Sequence, residues 1–359
     1  MNNSQNTLNR TFDLDNAEPE FSNLLGSISS MNVNNFPILS GMGASLLRLK
    51  EGGVNEPHWH TNAAELNYCI AGKAEITIYG NNAHKDAFII NPGQLTFIPT
   101  GYWHDVQSIG EEGLKLVMVY DNDNPQYLGI SGSVGSLPTR VLNSIFGLTS
   151  PAFFDQLNYQ LPKDVIFGSN KINITEQNNN SNNNGNDVDN TSNPYSLNLG
   201  NMDPQIKTNG GNARLGSIPF FPILRGLSVF VIDLKPKGII EPHTHPNAGE
   251  LNYVIDGKVR FTAYGPNGEI GTSEIHKGQV FFVPAGYFHY LENSDDSNSG
   301  TVASFFSNEN PEFIGMVGGL SSYSDKVLGT VFTKAPDFFS ALPRQIKNVL
   351  IAAGTEKSG

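Results

Sequence analysis

Three blocks of this chain are written twice at one fixed spacing. FPILSG at 36–41 returns as FPILRG at 221–226, and EPHWHTNAAELNYCIAGKAEITIYG at 56–80 returns as EPHTHPNAGELNYVIDGKVRFTAYG at 241–265. GQLTFIPTGYWHDVQS at 93–108 returns as GQVFFVPAGYFHYLEN at 278–293, so all three pairs are offset by 185 residues. An offset kept over roughly seventy residues, through turns as well as apolar runs, marks a duplicated domain. Beyond the blocks DNDNPQYLGI at 121–130 matches SNENPEFIGM at 307–316, and RVLNSIF at 140–146 matches KVLGTVF at 326–332, now offset by 186. PAFFDQL at 151–157 and PDFFSAL at 336–342 follow, each opening with a proline suited to the first turn of a helix. The apolar segments are short, β-branched and aromatic, and the chain holds 37 Gly and 21 Pro. That pattern favours an all-β chain of two strand-rich barrels, each followed by a short helical tail.

The repeat divides the chain into a first domain at 20–167 and a second at 206–352. Residues 168–205 between them are dominated by Asn, including QNNNSNNNGN at 177–186. So little apolar surface cannot offset the entropy of ordering, and the segment is expected to be a disordered linker. A formal net charge of −12 works against attraction to nucleic acid or anionic lipid. The single Cys69 allows no internal disulfide. MNNSQNTLNRTFDLDNAEPEF at the start has no apolar signal region, and no later stretch reaches ~18 apolar residues, so the expected location is cytoplasmic.

Six of the eight histidines occupy matching positions in the two copies: His58, His60 and His104, then His243, His245 and His289. Only His84 and His276 stand outside and are expected at the surface. Each copy reads His-X-His, four residues, Glu, giving Glu65 and Glu250, and a third His follows a Pro-X-Gly turn. Residues i and i+2 of a strand share a face, so His58 and His60 can both enter the barrel while Trp59 points away. Three imidazoles and a carboxylate form a borderline nitrogen and oxygen donor set, suited to manganese, iron, nickel, copper or zinc.

These blocks resemble the two motifs of the cupins. The first is a Gly, His-X-His, Glu and a later Gly, here Gly53 to Gly72 and Gly238 to Gly257. The second is Gly93, Pro99, Gly101 and His104, repeated as Gly278, Pro284, Gly286 and His289. It usually ends in Asn four residues on, as at Asn293, whereas the first copy has Ser108. The resemblance implies a bicupin of two jelly-roll β-barrels. Within that superfamily the motifs look like germins and spherulin-like proteins, and the two-domain layout looks like oxalate decarboxylases. It carries over His58, His60, Glu65 and His104, and His243, His245, Glu250 and His289, as metal ligands. Manganese is the implied ion, with iron and nickel not excluded by the ligand types.

Oxalate decarboxylases resemble one another in an Arg three residues before the first ligand His, where this chain has Asn55 and Ile240. Asn there is similar to the oxalate-oxidising germins, so Asn55 is a candidate for orienting a small acid. Asp123 and Glu309 are the candidate lid acids for proton handling, although a solvated loop carboxylate is the plainer reading of both. The chemistry implied is a manganese enzyme acting on a small carboxylate such as oxalate with dioxygen. A non-catalytic, spherulin-like metal-binding or storage protein is the alternative. A dioxygenase for an apolar substrate is a third reading, suggested by Ile240 with Phe281, Phe282, Tyr287 and Phe288. The adjacent phenylalanines Phe153 and Phe154, and Phe338 and Phe339, can pack on their own barrels, within an intrachain cupin pair or in a homo-oligomer.

Overall fold

The computed structural model describes residues 9–148, 152–155, 164–168, 193–342, 344 and 350–354. Two units emerge: an N-terminal unit of Ala17–Asn35 and Met42–Asn201, and a C-terminal unit of Met1–Asn16, Phe36–Gly41 and Met202–Gly359. Each unit is built from one seven-stranded and one six-stranded sheet, and every strand pair is antiparallel.

In the N-terminal unit the larger sheet runs Ser196–Leu197, Leu95–Ile98, Glu65–Ala71, Leu114–Tyr120, Gly43–Leu49, Gly26–Met31 and Phe21–Asn23. The smaller sheet runs Tyr127–Gly129, Gly53–His60, Trp103–Ser108, Ala74–Tyr79 and Lys85–Ile90, with Ile166–Gly168 also paired to Gly53–His60. The C-terminal unit repeats both orders one strand for one strand, from Thr11–Asp13 to Ile206–Lys207 and from Ile270–His276 to Ile314–Gly315. Its core shows how the sheets close on each other. Ala213, Ile232, Leu234, Val254, Phe281 and Val302 from one sheet pack with Ile240, Val259, Phe261, Ala263, Ile275 and Leu291 from the other. Burying both inner faces supplies the main driving force for the fold.

A short strand precedes each copy, the second of them within the C-terminal end of the 168–205 segment. Thr11–Asp13 pairs with Gln279–Val283 in the C-terminal unit, and Ser196–Leu197 pairs with Leu95–Ile98 in the N-terminal unit. The two segments stand 185 residues apart and sit in matching registers, Phe12 opposite Val280 and Leu197 opposite Leu95. Leu14 and Leu199 are fully buried, which explains why residues 193–201 are ordered: Tyr195, Leu197 and Leu199 give that end alternating apolar side chains. The rest of the expected linker, residues 169–192, lies outside the described residues.

The helical tails are Ile130–Gly135, Thr139–Phe146 and Ala152–Asp155 in the first copy, and Met316–Ser322, Asp325–Phe332 and the 3-10 turn Pro336–Ala341 in the second. Ser324 caps one of them, its hydroxyl accepting from the Val327 amide at 3.3 Å. One phenylalanine of each pair packs on the preceding helix: Phe154 lies 5.4 Å from Phe146 and Phe339 lies 5.6 Å from Phe332. Phe153 and Phe338 are exposed. Among the described residues no helix is long and apolar enough to cross a membrane.

Candidate metal centres

His58 and His60 lie on the inner strand Gly53–His60 and His243 on the inner strand Gly238–Thr244, with His245 just past its end, and a local bulge brings the third histidine of each copy opposite the first. On Gly53–His60 three steps separate Asn55 from His58, while only two separate Val106 from His104 on the partner strand. Ile240 to His243 against Leu291 to His289 repeats the offset. The extra residue turns Asn55 and His58 to the same face, and Ile240 and His243 likewise. Glu65 and Glu250 enter from the first position of the facing sheet's central strands. The Pro-X-Gly turn is fastened to the second histidine: the Gly101 amide donates to the His60 carbonyl at 3.0 Å, and Gly286 to His245 at 2.9 Å. Gly101 and Gly286 have φ of +77° and +78°, a backbone region that favours glycine.

The result is two buried four-residue clusters, His58, His60, Glu65 and His104, and His243, His245, Glu250 and His289. In each, one potential ligand atom per residue lies within 4.8 Å of the others. Every Nδ1 faces a backbone carbonyl: His58 to Glu56 at 2.7 Å, His60 to Gln126 at 2.9 Å and His104 to Tyr102 at 3.1 Å. His243 to Glu241 at 2.7 Å, His245 to Glu312 at 2.5 Å and His289 to Tyr287 at 2.9 Å repeat the arrangement. A carbonyl accepts only, so each Nδ1 carries a proton and, in the neutral imidazole, each Nε2 turns a lone pair inward.

Those lone pairs meet other acceptors. The Nε2 atoms of His243 and His245 are 3.0 Å apart, His60 Nε2 is 2.9 Å from Glu65 Oε2 and His289 Nε2 is 2.7 Å from Glu250 Oε2. Glu65 Oε1 is buried with no hydrogen-bond partner, and His104 Nε2 lies 3.4 Å from Glu65 Oε2. Crowded, inward-facing acceptors with fixed tautomers are what a divalent cation requires, and the donor set fits a borderline ion. The protonation energetics point the same way. Burial would raise the Glu65 carboxyl, but the charge and hydrogen bonds of His104 and His60 hold it well below its ordinary range. His289 and His245 do the same for Glu250. Burial, reinforced by the two neighbouring imidazoles, keeps His58 and His243 well below theirs. At His104 the burial effect is overcome by Glu65, and the value is raised.

Asn55 is buried beside this cluster, its Oδ1 accepting from the Tyr127 hydroxyl at 3.3 Å. Asp123 and Glu309 join neither cluster. The Glu309 carboxylate accepts from the Gly226 amide at 2.8 Å, which fastens the turn before the Ser228–Leu234 strand. Asp123 accepts through its backbone carbonyl from Val33 at 2.8 Å. Trp59 points away from the cluster and stacks on Trp103 at 4.9 Å. His84 and His276 are exposed and face Asp86 and Glu274.

The sequence reading missed the walls around the clusters. Tyr127 stacks on His58 at 4.4 Å and Tyr120 lies 4.9 Å from His60. Their counterparts Phe313 and Phe306 hold the same places, 4.3 Å from His243 and 4.9 Å from His245. Ser45 corresponds to Phe230 and Asn55 to Ile240. Four hydroxyl or amide side chains in the first copy are thus four hydrocarbon side chains in the second. A comparison of the copies at the 185 and 186 offsets contains that signal, but no motif surrounds it. Two other buried carboxylates precede the ligands. Glu56 accepts from the Ser131 amide at 2.9 Å and Glu241 from Val317 at 3.1 Å, each fixing the first turn of a tail helix. Phe281 and Phe282, which the apolar-substrate reading drew on, are fully buried core, with Phe281 stacked on Phe261 at 4.8 Å.

The cupin family pattern matches residues 12–152 and 197–336. Oxalate decarboxylase OxdC of Bacillus subtilis is 27% identical over 286 residues, covering 76% of this chain and 69% of its own. Germin-like protein 8-8 of Oryza sativa subsp. japonica is 33% identical over 141 residues, covering 36% of this chain and 63% of its own. A solved structure of Bacillus subtilis oxalate decarboxylase, described for its Mn(II) centres, superimposes with a TM-score of 0.81 at 23% identity, covering 97% of this chain and 89% of that one. The duplicated sheets, the paired ligand clusters and a family match across both halves converge: the chain belongs to the cupin family, as a bicupin.

Proposed function

We propose that this bicupin is a manganese-dependent enzyme of the germin and oxalate decarboxylase type, whose N-terminal copy acts on a small carboxylic acid such as oxalate with dioxygen. The observation that carries the reading is the buried cluster of three Nδ1-anchored histidines and one ionised glutamate. Its relatives are named for oxalate decarboxylation, and one neighbour is described for Mn(II). A manganese ion held by His58, His60, Glu65 and His104 supplies Lewis acidity and one-electron redox chemistry.

The chain's own residues then bind and orient the acid. Tyr127 donates to the carbonyl end of Asn55, which turns the amide NH2 into the end that meets a substrate oxygen. Burial pushes the Tyr127 and Tyr120 hydroxyls well above their ordinary values, so both remain protonated donors. Neutral donors at Asn55 and Tyr127 stand in this copy without the charged Arg of the decarboxylases, as in the oxalate-oxidising germins. Oxidation is therefore favoured over simple decarboxylation.

Elemental analysis of the native protein together with oxalate turnover tests this reading. Two manganese per chain, with oxalate converted to carbon dioxide and peroxide, is the expected result. Tight retention of the ions with oxalate and other small acids untouched would replace it with the storage reading.

A further inference from the structure

The C-terminal copy holds a partly open cavity of about 60 Å³ against its ligand cluster. His243, His245 and Glu250 form one end, and the walls are hydrocarbon: Ile240, Phe306 and Phe313 beside the ligands, with Phe230, Ile232 and Leu350 further out. We propose that this cavity is a binding site for a small, uncharged, apolar molecule of about two or three heavy atoms, a diatomic gas or a two-carbon hydrocarbon, and that it excludes carboxylates.

Three features carry the proposal. The first is size. An apolar cavity of ~150 Å³ accepts benzene, so one of about 60 Å³ excludes an aromatic ring and holds only a few heavy atoms. The second is polarity. A water in a buried site needs roughly 2–4 polar partners. Here the Nδ1 atoms of His243 and His245 are already bonded to backbone carbonyls, and Glu250 Oε2 faces His289 and His245. A carboxylate reaching the ion would still shed the hydration of its remaining oxygen and find no donor on Ile240, Phe306 or Phe313 to replace it.

The third is that the apolar lining is a coordinated difference between the copies. At the four equivalent positions the N-terminal copy has Ser45, Asn55, Tyr120 and Tyr127. Three of these already form polar pairs there, Tyr127 with Asn55 at 3.3 Å and Ser45 with Ser30 at 3.0 Å. At Phe306 and Phe313 the ring positions and distances are preserved while only the hydroxyls are lost, and at Phe230 and Ile240 hydrocarbon takes the place of the Ser45 hydroxyl and the Asn55 amide, so all four changes remove polar atoms from the same wall. The ligand set itself is unchanged, so the two copies share an ion site and differ in what they admit beside it.

Xenon is the probe, applied to the intact, manganese-loaded chain. Crystals pressurised with xenon should show one anomalous peak per chain, beside His243 and His245, and none beside His58 and His60. In solution, 129Xe chemical shifts should titrate saturably with the protein. Ala213→Leu, which fills the cavity, should abolish both signals while the chain retains two ions, a count that certifies the fold. Ile240→Asn with Phe313→Tyr should replace xenon by ordered water or added formate. Absence of xenon in the unaltered chain, or formate held in its C-terminal copy, would overturn the proposal. None of these readouts depends on oxalate turnover, so failure here and failure of the enzymatic reading are separable.

Discussion

At the scale of single residues the clusters set a definite pH response for the ion-free protein. His58 and His243 are held neutral and Glu65 and Glu250 charged, so for all four the unfolded chain binds protons before the folded one. Their contribution is complete above about pH 6.5, is lost first through the histidine range and then falls again below about pH 4.3. His104 opposes part of this, since its raised value favours the folded state as pH falls. With two histidines against one, the urea midpoint of ion-free protein should drop between pH 7.5 and pH 5. An unchanged or rising midpoint would refute this assignment of protonation states. Cys69 gives a second, simpler expectation. It is fully buried, and burial pushes its thiol up to about 12, so it should resist alkylation until the N-terminal unit opens. Rapid labelling of the native protein at pH 8 would contradict it.

At the scale of elements, tight turns hold the ligand-bearing strands in register. Gly72 joins Glu65–Ala71 to Ala74–Tyr79 with φ of +84°, and a Cβ there would meet the Gly113 carbonyl oxygen at 1.8 Å. Gly101 has a similar φ but open space around it. Gly72→Ala should therefore cost more than the ~1–2 kcal/mol that the left-handed backbone alone imposes, and Gly101→Ala close to that figure. Denaturation midpoints of the two variants compare them directly, and equal losses would show that the close approach at Gly72 is relieved elsewhere. The outer strands make a similar case. Leu14 is fully buried beside Thr11–Asp13, and Leu14→Ala should destabilise the C-terminal unit by about 2–5 kcal/mol, measurable by urea titration. This strand shows where sequence reading stopped. The ligands were legible because His-X-His, Glu and Pro-X-Gly-X-X-His recur at one offset within continuous blocks. A three-residue strand has too few residues to display a period, and its partner is more than two hundred and sixty residues away. The wall residues Ser45, Tyr120 and Tyr127 come from three separate strands, and only folding shows that they face one cluster.

At the scale of the whole molecule, duplication has kept two equivalent ion sites while the surroundings of each have diverged. The ligand clusters correspond residue for residue, but one is walled by donors and the other by hydrocarbon. If turnover of small acids belongs to the donor-lined copy, the two sites can be separated by matched substitutions. Glu65→Gln and Glu250→Gln each replace an ionised ligand with a neutral amide of the same shape, which weakens ion binding at one site without creating a cavity. Each variant should retain one manganese per chain in place of two. Glu65→Gln should lose oxalate turnover by two orders of magnitude or more, because its cluster holds the ion beside Asn55 and Tyr127. Glu250→Gln should keep turnover within about threefold of the parent, since the donor-lined site remains whole. Equal losses from both variants would mean that the C-terminal ion takes part in the reaction. Loss from Glu250→Gln alone would place the chemistry in the apolar copy, and Asn55 and Tyr127 would then have to be read as core polar packing.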